Sequence, residues 1–83
     1  MTKRAKAKQK SWHNIQGLID NGGNISVGAI PPVRCAAVAA DEGNMLAALL
    51  RRQDETLTDL LDRLDQAIEK AIDEEIYTDE INS

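Results

Sequence analysis

Leu57, Leu60, Leu61, Leu64, Ile68, Ala71 and Ile72 recur at the i, i+3, i+4, i+7 spacing. That period puts them on one side of an α-helix. Thr56 precedes the stripe as an N-cap, with Asp59 three residues on as a short-armed capping box, and Ile76 closes it. The spacing predicts a helix over 57–76. Its apolar side cannot stay in water, so the rest of the chain, or a second chain, has to cover it.

What is available for that task is thin. The 83 residues include no Phe, one Trp and one Tyr, so the core must come from Leu, Ile, Val and Ala. A chain this short buries only roughly 60% of its unfolded surface. Cys35 is the only cysteine, which excludes an internal disulfide, and one His with one Cys makes no metal cluster. Self-association is the remaining route to stability, and a homodimer is expected. Its core is assigned to Leu46, Leu50, Leu57, Leu60, Leu61, Leu64, Ile68 and Ile72.

Before the stripe the chain divides into unlike segments. Residues 1–10, MTKRAKAKQK, are basic and lack large apolar side chains, so they read as a disordered arm. Residues 11–76 form one small domain, and 77–83 an acidic tail. Within the domain, Trp12, Ile15, Leu18 and Ile19 lie at helical spacing after Ser11 as N-cap, and the NGG at 21–23 stops that helix. Residues 24–32, NISVGAIPP, are expected to be extended with a short strand, because Pro31 and Pro32 exclude a helix.

VRCAAVAA at 33–40 fits either state: its alanines favour helix, while its valines and the preceding prolines allow a strand. From Asp41, read as an N-cap, Met45, Leu46, Leu49 and Leu50 form a second helical stripe that ends at Arg51-Arg52. Charge favours a bend near 53–55, since arginines suit a helix C-terminus and Asp54, Glu55 and Asp59 suit an N-terminus. The alternative is one helix of ~36 residues, ~54 Å long, pairing as a coiled coil. The expected fold class is therefore mainly α, with a short extended or β segment followed by a two-helix unit, in a dimer.

The order of VRCAAVAA, a helix, a short polar break and ETLTDLLDRLDQAI resembles the ribbon–helix–helix fold of small bacterial repressors and plasmid antidotes. The resemblance covers about residues 33–76 at the level of a pattern that many helical hairpins satisfy. It implies a two-chain ribbon that reads the major groove of DNA and four helices around a shared core. On that ribbon Arg34, Ala36, Val38 and Ala40 would face outward, and only Arg34 among them makes a bidentate base contact. Thr56 and Thr58 match the phosphate-holding start of the family's second helix, but Asp54, Glu55 and Asp59 surround them and would repel phosphate.

Charge is segregated. Five of ten basic residues lie in the first ten positions, and eleven of fourteen acidic residues lie between Asp54 and Glu80. Lys3, Arg4, Lys6, Lys8 and Lys10, with Arg34, are the nucleic-acid-binding candidates. The net charge of −4 argues against DNA binding by the whole surface. Asp59, Asp62, Asp65 and Glu69 read as the solvated side of an amphipathic helix, and alternatively as a surface for a basic protein partner.

No catalytic residue stands out. His13 is the only candidate base for Cys35, whose apolar neighbours make it a packing residue, and the GxGxxG, GxxxxGK[ST] and HExxH motifs are absent. No cofactor or metal is expected. No stretch approaches the ~20 apolar residues of a membrane span. The basic start leads into SWHNIQ rather than an apolar run, so a cytoplasmic setting is expected. The reading is a small dimeric non-enzymatic interaction module, antidote-like or regulatory. A ribbon–helix–helix DNA-binding regulator is the alternative, and a small enzyme the third.

Overall fold

The computed structural model describes residues 12–82, which form an α+β unit. In chain order the elements are α1 (His13–Asp20), β1 (Asn24–Ile30), β2 (Val33–Asp41), β3 (Asn44–Leu50), α2 (Leu57–Glu74) and β4 (Thr78–Asp79). The strands make one sheet in the order β1-β2-β3-β4, antiparallel except that β4 joins β3 parallel. Thr78–Asp79, within the segment read as a tail, is thus the last strand.

This corrects the expectation of a mainly α chain, whether as a two-helix unit or as a long coiled coil. The segment expected as a helix over 41–52 is a strand. Asp41 does not cap a helix; it ends β2. The two residues that follow, Glu42 and Gly43, both take positive φ, 51° and 83°, and return the chain in a two-residue hairpin. Turns with two positive-φ residues match the right-handed twist of paired strands, which is why they close hairpins. Glycine meets that demand without steric cost, and Glu42 does not.

The helical look of Met45, Leu46, Leu49 and Leu50 has a local cause. Ala39 faces Ala47, but Ala40 faces Met45, so Leu46 is an extra residue on β3. Such a bulge re-aims a side chain. Leu46 packs against the core beside Ala47, and the strict alternation of a strand is lost at that point.

The ambiguous 33–40 segment is strand, as is the extended segment after the NGG turn. α1 ends in a Schellman motif: Gly23 N–H bonds Leu18 O at 2.8 Å and Gly22 N–H bonds Ile19 O at 3.0 Å, with Gly22 at φ 94°. α2 starts as its sequence indicates, with Thr56 Oγ1 accepting Asp59 N–H at 3.0 Å.

Both helices cover the same side of the sheet. Ile15 and Leu18 of α1 and Leu60, Leu64, Ala67 and Ile68 of α2 share one core with Ala37, Ala39, Ala47 and Leu49. Alanines in the middle of the sheet let α2 lie close, which is how a core without phenylalanine reaches dry packing. Leu49, Leu60, Leu64 and Ile68 are fully enclosed. Each contributes about 1.5–3 kcal/mol by leaving water.

Candidate interaction face

Two polar networks hold the frame rigid, and both draw on the acidic residues of α2. The first fastens α1. Trp12, at φ 48°, precedes that helix and offers it no side-chain cap. Asp65 of α2 replaces the cap: its carboxylate accepts the N–H groups of Asn14 and Ile15, each at 2.9 Å, and the Asn14 side-chain amide at 3.0 Å. One turn earlier, Asp62 accepts the Trp12 indole N–H at 2.6 Å. Asp62 and Asp65 were expected on a solvated side, and instead they dock a helix from about fifty positions away.

The second network centres on Arg63. Its Nε bonds Glu55 Oε2 at 2.6 Å, one terminal nitrogen bonds Glu80 Oε2 at 3.0 Å, and the other bonds Leu50 O at 2.7 Å and Glu55 Oε1 at 3.0 Å. Glu80 Oε1 accepts Leu50 N–H at 2.9 Å, so the end of β3, the 51–56 loop, α2 and the residue after β4 meet at one guanidinium. The side chain of Glu55 is only 7% exposed. Its hydrogen bonds from Arg63, helped by Arg52 N–H, hold its carboxyl at about 2 against a usual 4.5, with burial opposing the shift. Donation to the Glu55 carboxylate likewise raises the Arg63 pKa, with burial opposing.

With both helices on one side, the other side of the sheet carries neither. Side chains alternate along a strand, and the register then gives three rows there. Asn24, Ala40 and Met45 form one; Ser26, Val38, Ala48 and Asp79 the next; Gly28, Ala36 and Leu50 the third. The centre is apolar and built of small side chains. Ala36 and Ala48 are buried among their neighbours, while Val38, Met45 and Leu50 are partly buried. Asp79, at the β4 edge, turns its carboxylate to the N–H groups of Ile81 and Asn82, each at 3.0 Å.

The residues assigned to a dimer core separate. Leu60, Leu64 and Ile68 lie inside the chain's own core, and Leu46 and Leu61 pack against it. Leu50 belongs to the open side of the sheet. Leu57 and Ile72 are 48% and 58% exposed at the two ends of α2. Of the nucleic-acid candidates, Lys3, Arg4, Lys6, Lys8 and Lys10 lie outside the described residues. Arg34 is exposed at the start of β2, beside Arg51, whose N–H bonds Cys35 O at 3.1 Å.

Sequence reasoning set Ala36, Val38 and Ala40 on one outward face of a ribbon but placed Met45 on a helix and passed over Ala48, which join that face only through the strand register. The described residues hold no group of three or more His, Cys, Asp or Glu placed for a metal ion. An open groove of about 550 Å³ lies at the start of α2 between Arg52, Asp54, Asp59 and Asp62. Among the described residues no helix is long and apolar enough to cross a membrane. No family model, curated protein or solved structure matches this chain.

Proposed function

We propose that this chain is a small, non-enzymatic interaction module that associates with itself through the open side of its sheet. The observation that supports this reading is the apolar side opposite both helices, where Val38, Ala40, Met45 and Leu50 reach the surface around the buried Ala36 and Ala48. An antiparallel sheet with one wet side normally alternates apolar and polar positions. Here the side away from the core carries apolar residues in its two central strands, which marks a surface for association.

The test is the mass in solution between about 10 μM and about 1 mM, a range that spans the affinity of weak pairs. The mass of the wild-type chain rises with concentration. Val38→Glu stays a monomer and melts at the wild-type temperature, because Val38 lies outside the core. A wild-type chain that is a compact, cooperatively melting monomer at the top concentration ends the reading.

DNA binding is the second reading, and one observation favours it: Arg34, Arg51 and Arg52 are exposed together at one end of the sheet. Phosphate contacts by such groups weaken steeply with salt. Mixing the chain with random duplex DNA at low and moderate salt decides it, and absence of binding at low salt removes it.

A further inference from the structure

We propose that residues 75–82 form a releasable strap over the outer edge of β3, and that opening it lengthens α2 by about one turn. Closed, the strap holds the Asp79 charge on the open side of the sheet; opened, it withdraws that charge. This second part rests on the self-association reading above and adds its regulation.

The end of α2 is poorly encoded where it stands. Glu75 closes the helix at φ 58°, with its N–H on Ala71 O and that of Ile76 on Lys70 O, each at 3.1 Å. Helices commonly place glycine at this position, because other residues meet a steric cost in left-handed backbone. Asp73, Glu74 and Glu75 crowd the negative end of the helix dipole, and the last turn contains no basic residue to offset them. Ile76 continues the spacing of Ile68 and Ile72, so the sequence itself carries the helix past its observed end. With the chain helical through Tyr77, Glu75 returns to ordinary backbone, and Asp73 and Glu74 move away from the terminus.

Strained backbone persists only where surrounding contacts enforce it. Here they are few. β4 pairs with β3 at two positions, Ala47 with Thr78 and Ala48 with Asp79. Glu80 N–H bonds Ala48 O at 2.8 Å, and its carboxylate takes Leu50 N–H at 2.9 Å and Arg63 at 3.0 Å. No residue from Glu75 to Asn82 is buried, and Ile76 and Tyr77 are 49% and 54% exposed. The strap places no side chain in the core, so its attachment depends on Glu80. Segments with so few buried contacts open without unfolding the rest.

Release changes the open side. Asp79 shares the middle row with Ser26, Val38 and Ala48, and it is the one charge in the three rows described above. A two-fold contact uses the same patch on both copies. Closed straps therefore bring two like carboxylates to that contact, and desolvating them opposes pairing. An open strap leaves Val38 and Ala48 without a charged neighbour.

The test is NMR of the full chain with two substitutions of opposite effect. Glu80→Ala removes the anchor. The Cα shifts of residues 75–77 move to helical values, and the amide at position 80 exchanges at least roughly tenfold faster than in wild type, as loss of charge-assisted hydrogen bonds requires. Glu75→Gly favours the closed end and disfavours a longer helix, so exchange at position 80 slows and residues 75–77 stay non-helical. The β2 amides remain better protected than position 80 in both variants. Where Glu80→Ala fails to fold, Glu80→Gln takes its place. A contact that was merely lost would speed exchange without adding helix. Non-helical shifts in the Glu80 variant, or unchanged exchange at position 80 in Glu75→Gly, overturn the strap.

Sedimentation reads the regulation. Glu80→Ala and Asp79→Asn each pair at least roughly fivefold more tightly than wild type, because both take the like charge off the contact. Variants that pair no better than wild type overturn the link to pairing and leave the strap standing. If neither wild type nor either variant pairs, self-association itself fails, and the NMR result still decides the strap.

Discussion

Asp65 of α2 grips Asn14 at both its backbone and its side-chain amide, across fifty-one positions of sequence. The first helix is eight residues long, too short to persist alone in water. Its attachment therefore depends on this carboxylate. Asp65→Ala should lower stability by about 1–2 kcal/mol and should abolish hydrogen-exchange protection in α1 before the sheet is affected. Protection in α1 unchanged by that substitution would show that Ile15 and Leu18 hold the helix without it.

Arg63 gives the fold an acid-sensitive joint. The folded-state pKa of Glu55 lies below its unfolded value, so its contribution is complete above about 4.5 and fades as pH falls toward about 2. Wild-type stability, measured by denaturant between pH 2 and pH 6, should drop across that window. Glu55→Gln should be less stable than wild type near neutrality and show a smaller drop. Arg63→Met, which leaves two carboxylates without their cation, should cost about 1–3 kcal/mol. Parallel pH curves for wild type and Glu55→Gln would refute the assignment.

Leu64 and Leu57 separate a core within the chain from a core between chains. Leu64 is fully enclosed by its own chain, whereas Leu57 is 48% exposed. Leu64→Asp buries a charge with no partner and should unfold the monomer. Leu57→Asp should change stability by less than about 1 kcal/mol. If both variants melt alike, the stripe is not covered in the way the fold describes.

Two glutamates stand in left-handed backbone: Glu42 in the hairpin turn at φ 51° and Glu75 after α2 at φ 58°. Each carries a steric cost of roughly 1–2 kcal/mol that glycine or asparagine largely avoids. Glu42→Asn and Glu75→Gly should each raise the melting temperature, by several degrees for a domain of this size. A fall in either would mean that the glutamate side chain contributes more than its backbone costs.

The ease with which each part could be read follows from the range of the forces behind it. α2 was legible because its apolar period and its Thr56 cap are local. The NGG stop and the extended segment after it were legible for the same reason. β3 was not. Its alanines and leucines satisfy a helical period, the bulge at Leu46 hides the alternation, and Glu-Gly lacks the Asn or Asp that usually marks a two-residue hairpin. Asp65 and Arg63 were also beyond reach, since their partners come together only after folding. The open side of the sheet became visible only once the registers of β1, β2 and β3 were known.

The strand order has a temporal consequence. β1, β2 and β3 follow one another in sequence and in space, so each joins its neighbour by closing a very short loop. β4 comes from the far side of an eighteen-residue helix and pairs only two positions, Ala47 with Thr78 and Ala48 with Asp79. During synthesis the three-strand meander can zip up while residues 76–82 are still inside the ribosome, and the Glu80 carboxylate then locks what has already assembled.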